Sequence, residues 1–112
     1  MSVSWAVTEE KIKEAVRKIV SVGEPRRVIL FGSAARGQTD PNSDADFLVI
    51  TSNELPSPRQ ESVRIRRALR GLSMPMDILV ISEKRLKELA DQPGLIYREA
   101  LRHGKVVYEA AA

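Results

Sequence analysis

Two aspartates separated by a single residue, Asp44 and Asp46, follow a Gly32-Ser33 pair after ten intervening residues. If residues 44 to 50 form a strand, alternate side chains point to one face, and these two carboxylates share it with Cα atoms ~6.6 Å apart. Like charges ~4 Å apart repel by ~1 kcal/mol in water and by ~4 kcal/mol at an effective dielectric near 20, and a divalent cation reverses the sign of that interaction. The donors are carboxylate oxygens with no cysteine in the chain, which favours a hard ion, Mg2+ or Mn2+, over zinc. Gly32-Ser33 supplies the complementary part. A residue without Cβ lets the backbone approach a phosphate, to which the Ser hydroxyl and the N–H groups of a following helical turn can donate. A third acid, Asp77, reaches the same volume only if its strand lies beside the Asp44 strand with that end at the same edge. Arg36 is either a charge-assisted contact to the phosphates or a solvated loop arginine.

Short apolar runs must position these groups. Arg26 to Phe31 reads as a first strand, residues 44 to 50 as a second and Met76 to Ile81 as a third, each bounded by turn residues. Ser33 to Arg36 suits a brief helical turn, and Gly37 to Ser43 a turn-rich connection short enough for an antiparallel return. Asp40 lies in that connection and is not chosen as a ligand. Thr8 can cap a first helix bearing Ile12, Ala15, Val16, Ile19 and Val20 at helical spacing, ended by Gly23 and Pro25. A second helix is expected from about Pro58 to Gly71. Ser62, Ile65, Ala68, Leu69 and Leu72 share one arc of it, and Arg59, Arg66, Arg67 and Arg70 group opposite. That basic stripe is either a solvated face or a docking surface for an acidic partner. Ser82 caps a third helix, residues 95 to 102 form a fourth that ends at His103-Gly104, and Val106 to Tyr108 reads as a last edge strand. The only histidine has no partner in the sequence that would support catalysis.

Gly32-Ser33, ten residues, then Asp44-x-Asp46 resembles the signature of the polymerase-β-like nucleotidyltransferase superfamily. The match is closer to its smallest members, the minimal nucleotidyltransferases. Ala35-Arg36-Gly37, Ser43 before the first Asp, Met76-Asp77-Ile78-Leu79-Val80 and the ending from Ile96 to Glu109 all look like theirs, so the resemblance runs from about Pro25 to Glu109. It implies an α/β fold, a small mixed sheet with flanking helices, here expected chiefly on one side. It also implies Mg-dependent transfer of a nucleoside monophosphate, AMP by expectation, from a nucleoside triphosphate to a hydroxyl, with pyrophosphate leaving. In the roles the resemblance supplies, Gly32, Ser33 and Arg36 bind nucleotide, Asp44 and Asp46 bind the metal bridging the phosphates, and Asp77 completes a second metal position and helps deprotonate the acceptor. Minimal nucleotidyltransferases further resemble the antitoxin half of two-gene modules whose partners are small all-helical HEPN proteins. A non-catalytic antitoxin-like protein that covers such a partner is the alternative from another class.

At 112 residues the expectation is one domain over 1–112, with 1–7 a loose lead whose Trp5 either packs on the first helix or meets a partner. A net charge of +3 and 4% aromatic residues disfavour a nucleic-acid-binding module built on base stacking. No apolar run approaches the ~20 residues of a membrane span and no signal-peptide pattern opens the chain. Together with the absence of cysteine this makes cytoplasmic the expected location. Replacing Ser33 with Ala removes one donor and leaves the backbone N–H groups, so triphosphate binding in Mg2+ should weaken by ~1 to 2 kcal/mol in calorimetry. Unchanged affinity would move the phosphates away from Gly32-Ser33.

Overall fold

A computed structural model describes residues 7–37, 44–93 and 95–111, and the Arg36 side chain is outside that description. Trp5, Asp40 and Ser43 therefore lie outside the described residues, as does the connection from residue 38 to 43. Helix α1 (Glu9–Gly23) is followed by strand β1 (Arg27–Phe31), a 3₁₀ turn (Ser33–Arg36), β2 (Ala45–Thr51) and α2 (Pro58–Ala68). Strand β3 (Met76–Ser82), α3 (Glu83–Leu89), α4 (Ile96–His103) and β4 (Lys105–Glu109) complete the described order.

The strands form one mixed sheet in the order β3-β2-β1-β4. β1 runs antiparallel to both β2 and β4, whereas β2 and β3 are parallel, joined by the α2 crossover. Helix starts follow the sequence closely. The hydroxyls of Thr8, Ser57 and Ser82 each accept a bond from the backbone N–H three residues on, at 3.2 Å, which satisfies one of the orphan donors of α1, α2 and α3 respectively. α1 ends at Gly23 as the sequence indicates, with Glu24 left-handed after it at φ 44°, whereas α2 stops at Ala68 instead of Gly71. Gly23 lies against α2, where an added Cβ would stand 3.4 Å from Ile65 Cδ1.

The helices occupy both faces of the sheet, which corrects the expectation of one chiefly covered side. On one face Ala15 and Ile19 of α1 and Ile65 of α2 pack with Val28, Leu30, Phe47, Val49 and Ile78. On the other, Leu86 of α3 and Ala100 of α4 pack with Ile29, Phe31, Leu48, Ile50 and Ile81. The reason is that β1 and β2 are apolar at successive positions, so both faces of these central strands need cover, at ~1.5 to 3 kcal/mol for each large apolar side chain buried. Phe47, Leu48, Val49 and Ile50 are all buried, and this pins the register of β2.

α4 is held against β1 through a close backbone approach at Gly104. A Cβ there would overlap Ala100 O and stand 2.6 Å from Ile29 Cγ2, although its φ of −77° would admit any residue. Gly104→Ala should therefore lose ~1 to 3 kcal/mol of stability by overpacking, read as a lower urea midpoint. A gain of the ~0.4 to 1 kcal/mol that this change brings at an unstrained site would show that the approach is loose.

Candidate functional site

The site is built where β1 ends and β2 and β3 begin. In the antiparallel register Phe31 faces Asp46, and in the parallel register Asp46 faces Asp77. Adjacent strands lie ~4.8 Å apart, so two carboxylates stand side by side at one edge of the sheet. By alternation they share the face of Leu48 and Ile50, which is the face covered by α3 and α4. Asp46 is flanked in sequence by Ala45 and Phe47, both 0% exposed, and is therefore fixed by the packing of its neighbours.

Gly32 follows β1 at φ 75° and ψ −157°, a conformation that disfavours any side chain. A Cβ at this position would fall on Asp46 Oδ2 and stand 3.4 Å from its Cγ. Chain reversal and carboxylate thus share the space that a side chain would fill. The Ser33–Arg36 turn comes next, anchored by buried Ala34 and closed by the Gly37 N–H donating to Ala34 O at 3.2 Å. Ser33 is partly exposed beside this edge.

Burial, more than any neighbour, pushes the Asp46 carboxyl above the ordinary carboxylate range, and the charges of Asp77 and Asp44 push in the same direction. No hydrogen bond from a described residue relieves it. Asp44 is exposed and precedes β2 rather than lying within it. Asp77 is half exposed and forms an ion pair with Arg66 of α2, Nη2 to Oδ1 at 2.5 Å. Among the described residues no three carboxylates or imidazoles are already gathered closely enough to ligate one ion, so the acids stand as an adjacent pair with Asp44 near it.

The donor set nevertheless fits a hard divalent cation. Two adjacent carboxylates, one partly buried and raised by its like-charged neighbours, lack a bound donor on Asp46 and face a backbone stripped of Cβ at Gly32. Arg66 is the site residue that sequence reasoning missed. It sat in the arginine stripe of α2, and nothing in the helical period points that stripe at β3. His103 ends α4, as expected, and is exposed. A hollow of about 580 Å³ between α1, the 3₁₀ turn and β4, lined by Ile12, Val16, Leu30 and Lys105 among others, contains none of Asp44, Asp46 and Asp77.

The family described as the nucleotidyltransferase domain matches residues 9–108. The chain belongs to this family. A Methanocaldococcus jannaschii protein, whose name proposes a protein adenylyltransferase, is 40% identical over 73 residues, covering 63% of this chain and 72% of its own. The fold is shared with a Sulfolobus solfataricus protein provisionally named a nucleotidyltransferase, at TM-score 0.60 and 20% identity, over 89% of this chain and 78% of that one. It is shared also with the spectinomycin adenyltransferase of Enterococcus faecialis, solved with ATP and spectinomycin, at 0.59 and 18% over 92% of this chain and 55% of that one. A toxin–antitoxin structure with AMP-PNP gives 0.52 and 20% over 93% and 75%. The nucleotidyltransferase assigned here is therefore an enzyme by family, and the expected α/β architecture with a mixed sheet is the one observed.

The raised Asp46 carboxyl gives a pH test. Its folded pKa lies above its unfolded value of about 3.8, so the folded state holds the proton more tightly. Stability from this group is therefore fully present below that unfolded value and is lost as pH rises through the folded pKa. Asp46→Asn should raise the melting temperature of the metal-free protein at pH 7, and the gain should vanish near pH 3. An equal loss at both pH values would show that the carboxylate is held by favourable contacts instead.

Proposed function

We propose that this nucleotidyltransferase moves an adenylyl group from ATP to a hydroxyl on a partner protein. The observation that carries the reading is the juxtaposition of Gly32, Asp46 and Asp77 at one sheet edge, with Asp46 and Asp77 in register and Gly32 stripped of the side chain that would cover Asp46. Gly32 and Ser33 hold the β and γ phosphates through backbone N–H groups and the hydroxyl, and Arg36, whose side chain lies outside the described structure, is a nucleotide-binding residue only by the sequence resemblance. Asp44, Asp46 and Asp77 are the residues that would hold Mg2+ or Mn2+. Such an ion supplies charge neutralisation for the phosphate oxygens.

The acceptor oxygen attacks the α-phosphorus, the bond from that phosphorus to the bridging oxygen breaks, and pyrophosphate leaves with the bonding pair. The acceptor proton passes to a carboxylate, a role we assign to Asp77, whose side chain is half exposed. Adenylyl as the group transferred is supported by the 40% identical relative, named for a protein adenylyltransferase. A protein acceptor is supported by the same name. A small all-helical partner of the HEPN type is the form expected from the resemblance to minimal nucleotidyltransferases, and the toxin–antitoxin neighbour is consistent with a partner. Arg59, Arg67 and Arg70 of the α2 region are exposed and could dock an acidic surface.

One observation favours the second reading, an antitoxin-like protein that covers its partner without transfer: Asp77, one of the two paired acids, is engaged by Arg66. Incubation with labelled ATP and Mg2+, with and without the product of the neighbouring gene, followed by intact mass measurement, separates the two. The expected result is a mass gain of one adenylyl group on the partner alone, lost with Asp46→Asn in this chain. Robust transfer to a free small molecule by this chain alone would exclude the protein acceptor, and no transfer with the right partner would promote the second reading.

A further inference from the structure

The Arg66–Asp77 pair differs in kind from most other ion pairs of the described residues. Glu14–Arg17, Glu61–Arg64 and Arg85–Glu88 are spaced three apart on one helix. Arg66–Asp77 instead ties a helix to the strand carrying the site. It is not what holds that helix in place. α2 is seated by Ile65, which is 0% exposed, and by Ser62 Oγ donating to Ile78 O at 2.7 Å. Both side chains of the pair are half exposed, at 51% and 50%. The pair is therefore dispensable for packing, while its carboxylate is the register neighbour of Asp46.

A guanidinium and a divalent cation compete for the same carboxylate lone pairs, and a fixed positive charge next to a site opposes a second one. Resting on the reading that Asp46 and Asp77 bind the divalent ion, the geometry points to Arg66 as an internal counter-cation. It holds Asp77 in the cation-free protein and must release it when a divalent ion binds. Arg66 is then a positioning residue that sets the cation affinity of the site. Like-charge repulsion at Asp46 explains why such a counter-cation is useful. With Asp46 and Asp77 side by side and Asp44 near them, the edge concentrates negative charge, and Arg66 offsets part of it at the expense of some divalent affinity.

The test is Mn2+ binding to the full chain without nucleotide, followed by the electron paramagnetic resonance of free Mn2+, with thermal melts confirming that each variant folds. Arg66→Ala should bind Mn2+ about two- to five-fold tighter than the unsubstituted protein, the range expected for loss of a competing exposed ion pair. Arg66→Lys, which keeps the charge without the planar fork, should fall between them. Arg70→Ala removes the same charge nearby and should change the affinity by less than half as much. In a second readout, Mg2+ should shift the Arg66 side-chain Nε–H resonance in the unsubstituted protein and leave it unmoved in Asp77→Asn. Arg66→Ala binding no tighter than the unsubstituted protein, or Arg70→Ala matching it, overturns the counter-cation while saturable binding abolished by Asp46→Asn leaves the metal site standing. No saturable Mn2+ binding by any form sinks the metal site and the counter-cation together.

Discussion

A half-buried carboxylate beside two other acids is the constraint on which this structure turns. Asp46 gains nothing from solvent on its buried side and is pushed toward its protonated form by burial and by Asp77 and Asp44. Its position is nevertheless fixed, because the residues on either side, Ala45 and Phe47, are fully enclosed and belong to the larger of the two cores. The packing energy of β2 thus holds a charge where electrostatics alone would not leave it. Such local conflict between packing and charge is characteristic of sites kept for chemistry.

The surrounding features are responses to that conflict. Gly32 surrenders a side chain so that the turn after β1 and the Asp46 carboxylate can occupy the same corner. Arg66 reaches from α2 to Asp77 and reduces the net charge of the edge. The two cores on opposite faces make the sheet stiff at the level of Phe47 and Leu48, one and two residues from the acid, and so the carboxylates are presented on a rigid platform. Rigidity in the strands that carry the reacting groups is what a transferase requires to hold them in line.

The family assignment and the physical account meet at different levels. Sharing a fold with proteins at about one-fifth identity says that the sheet and its crossovers are reproducible from very different cores. What this chain does with that fold depends on a handful of residues at one end of three strands, and on which of them are relieved of their charge by a neighbour.

The sequence by itself determined the strands and the helix starts. Unbroken apolar runs at Val28 to Phe31 and Phe47 to Ile50, and the hydroxyls of Thr8 and Ser82, are local signals that act over one turn or one pleat. The Asp44-x-Asp46 spacing predicts two carboxylates on one strand face, but β2 begins at Ala45 and Asp44 lies exposed before it. The tertiary structure decided what those periods cannot encode. That α1 and α2 cover one face while α3 and α4 cover the other follows from where each crossover returns to the sheet, although the two-sided apolar character of β1 and β2 was a signal available beforehand. The parallel register that sets Asp77 beside Asp46 is fixed by packing across strands. The contact from Arg66 to Asp77 joins residues eleven apart through a helix-to-strand return. A helical wheel ranks Arg66 as outward-facing, but only the seating of α2 on β3 decides which acid lies outside it.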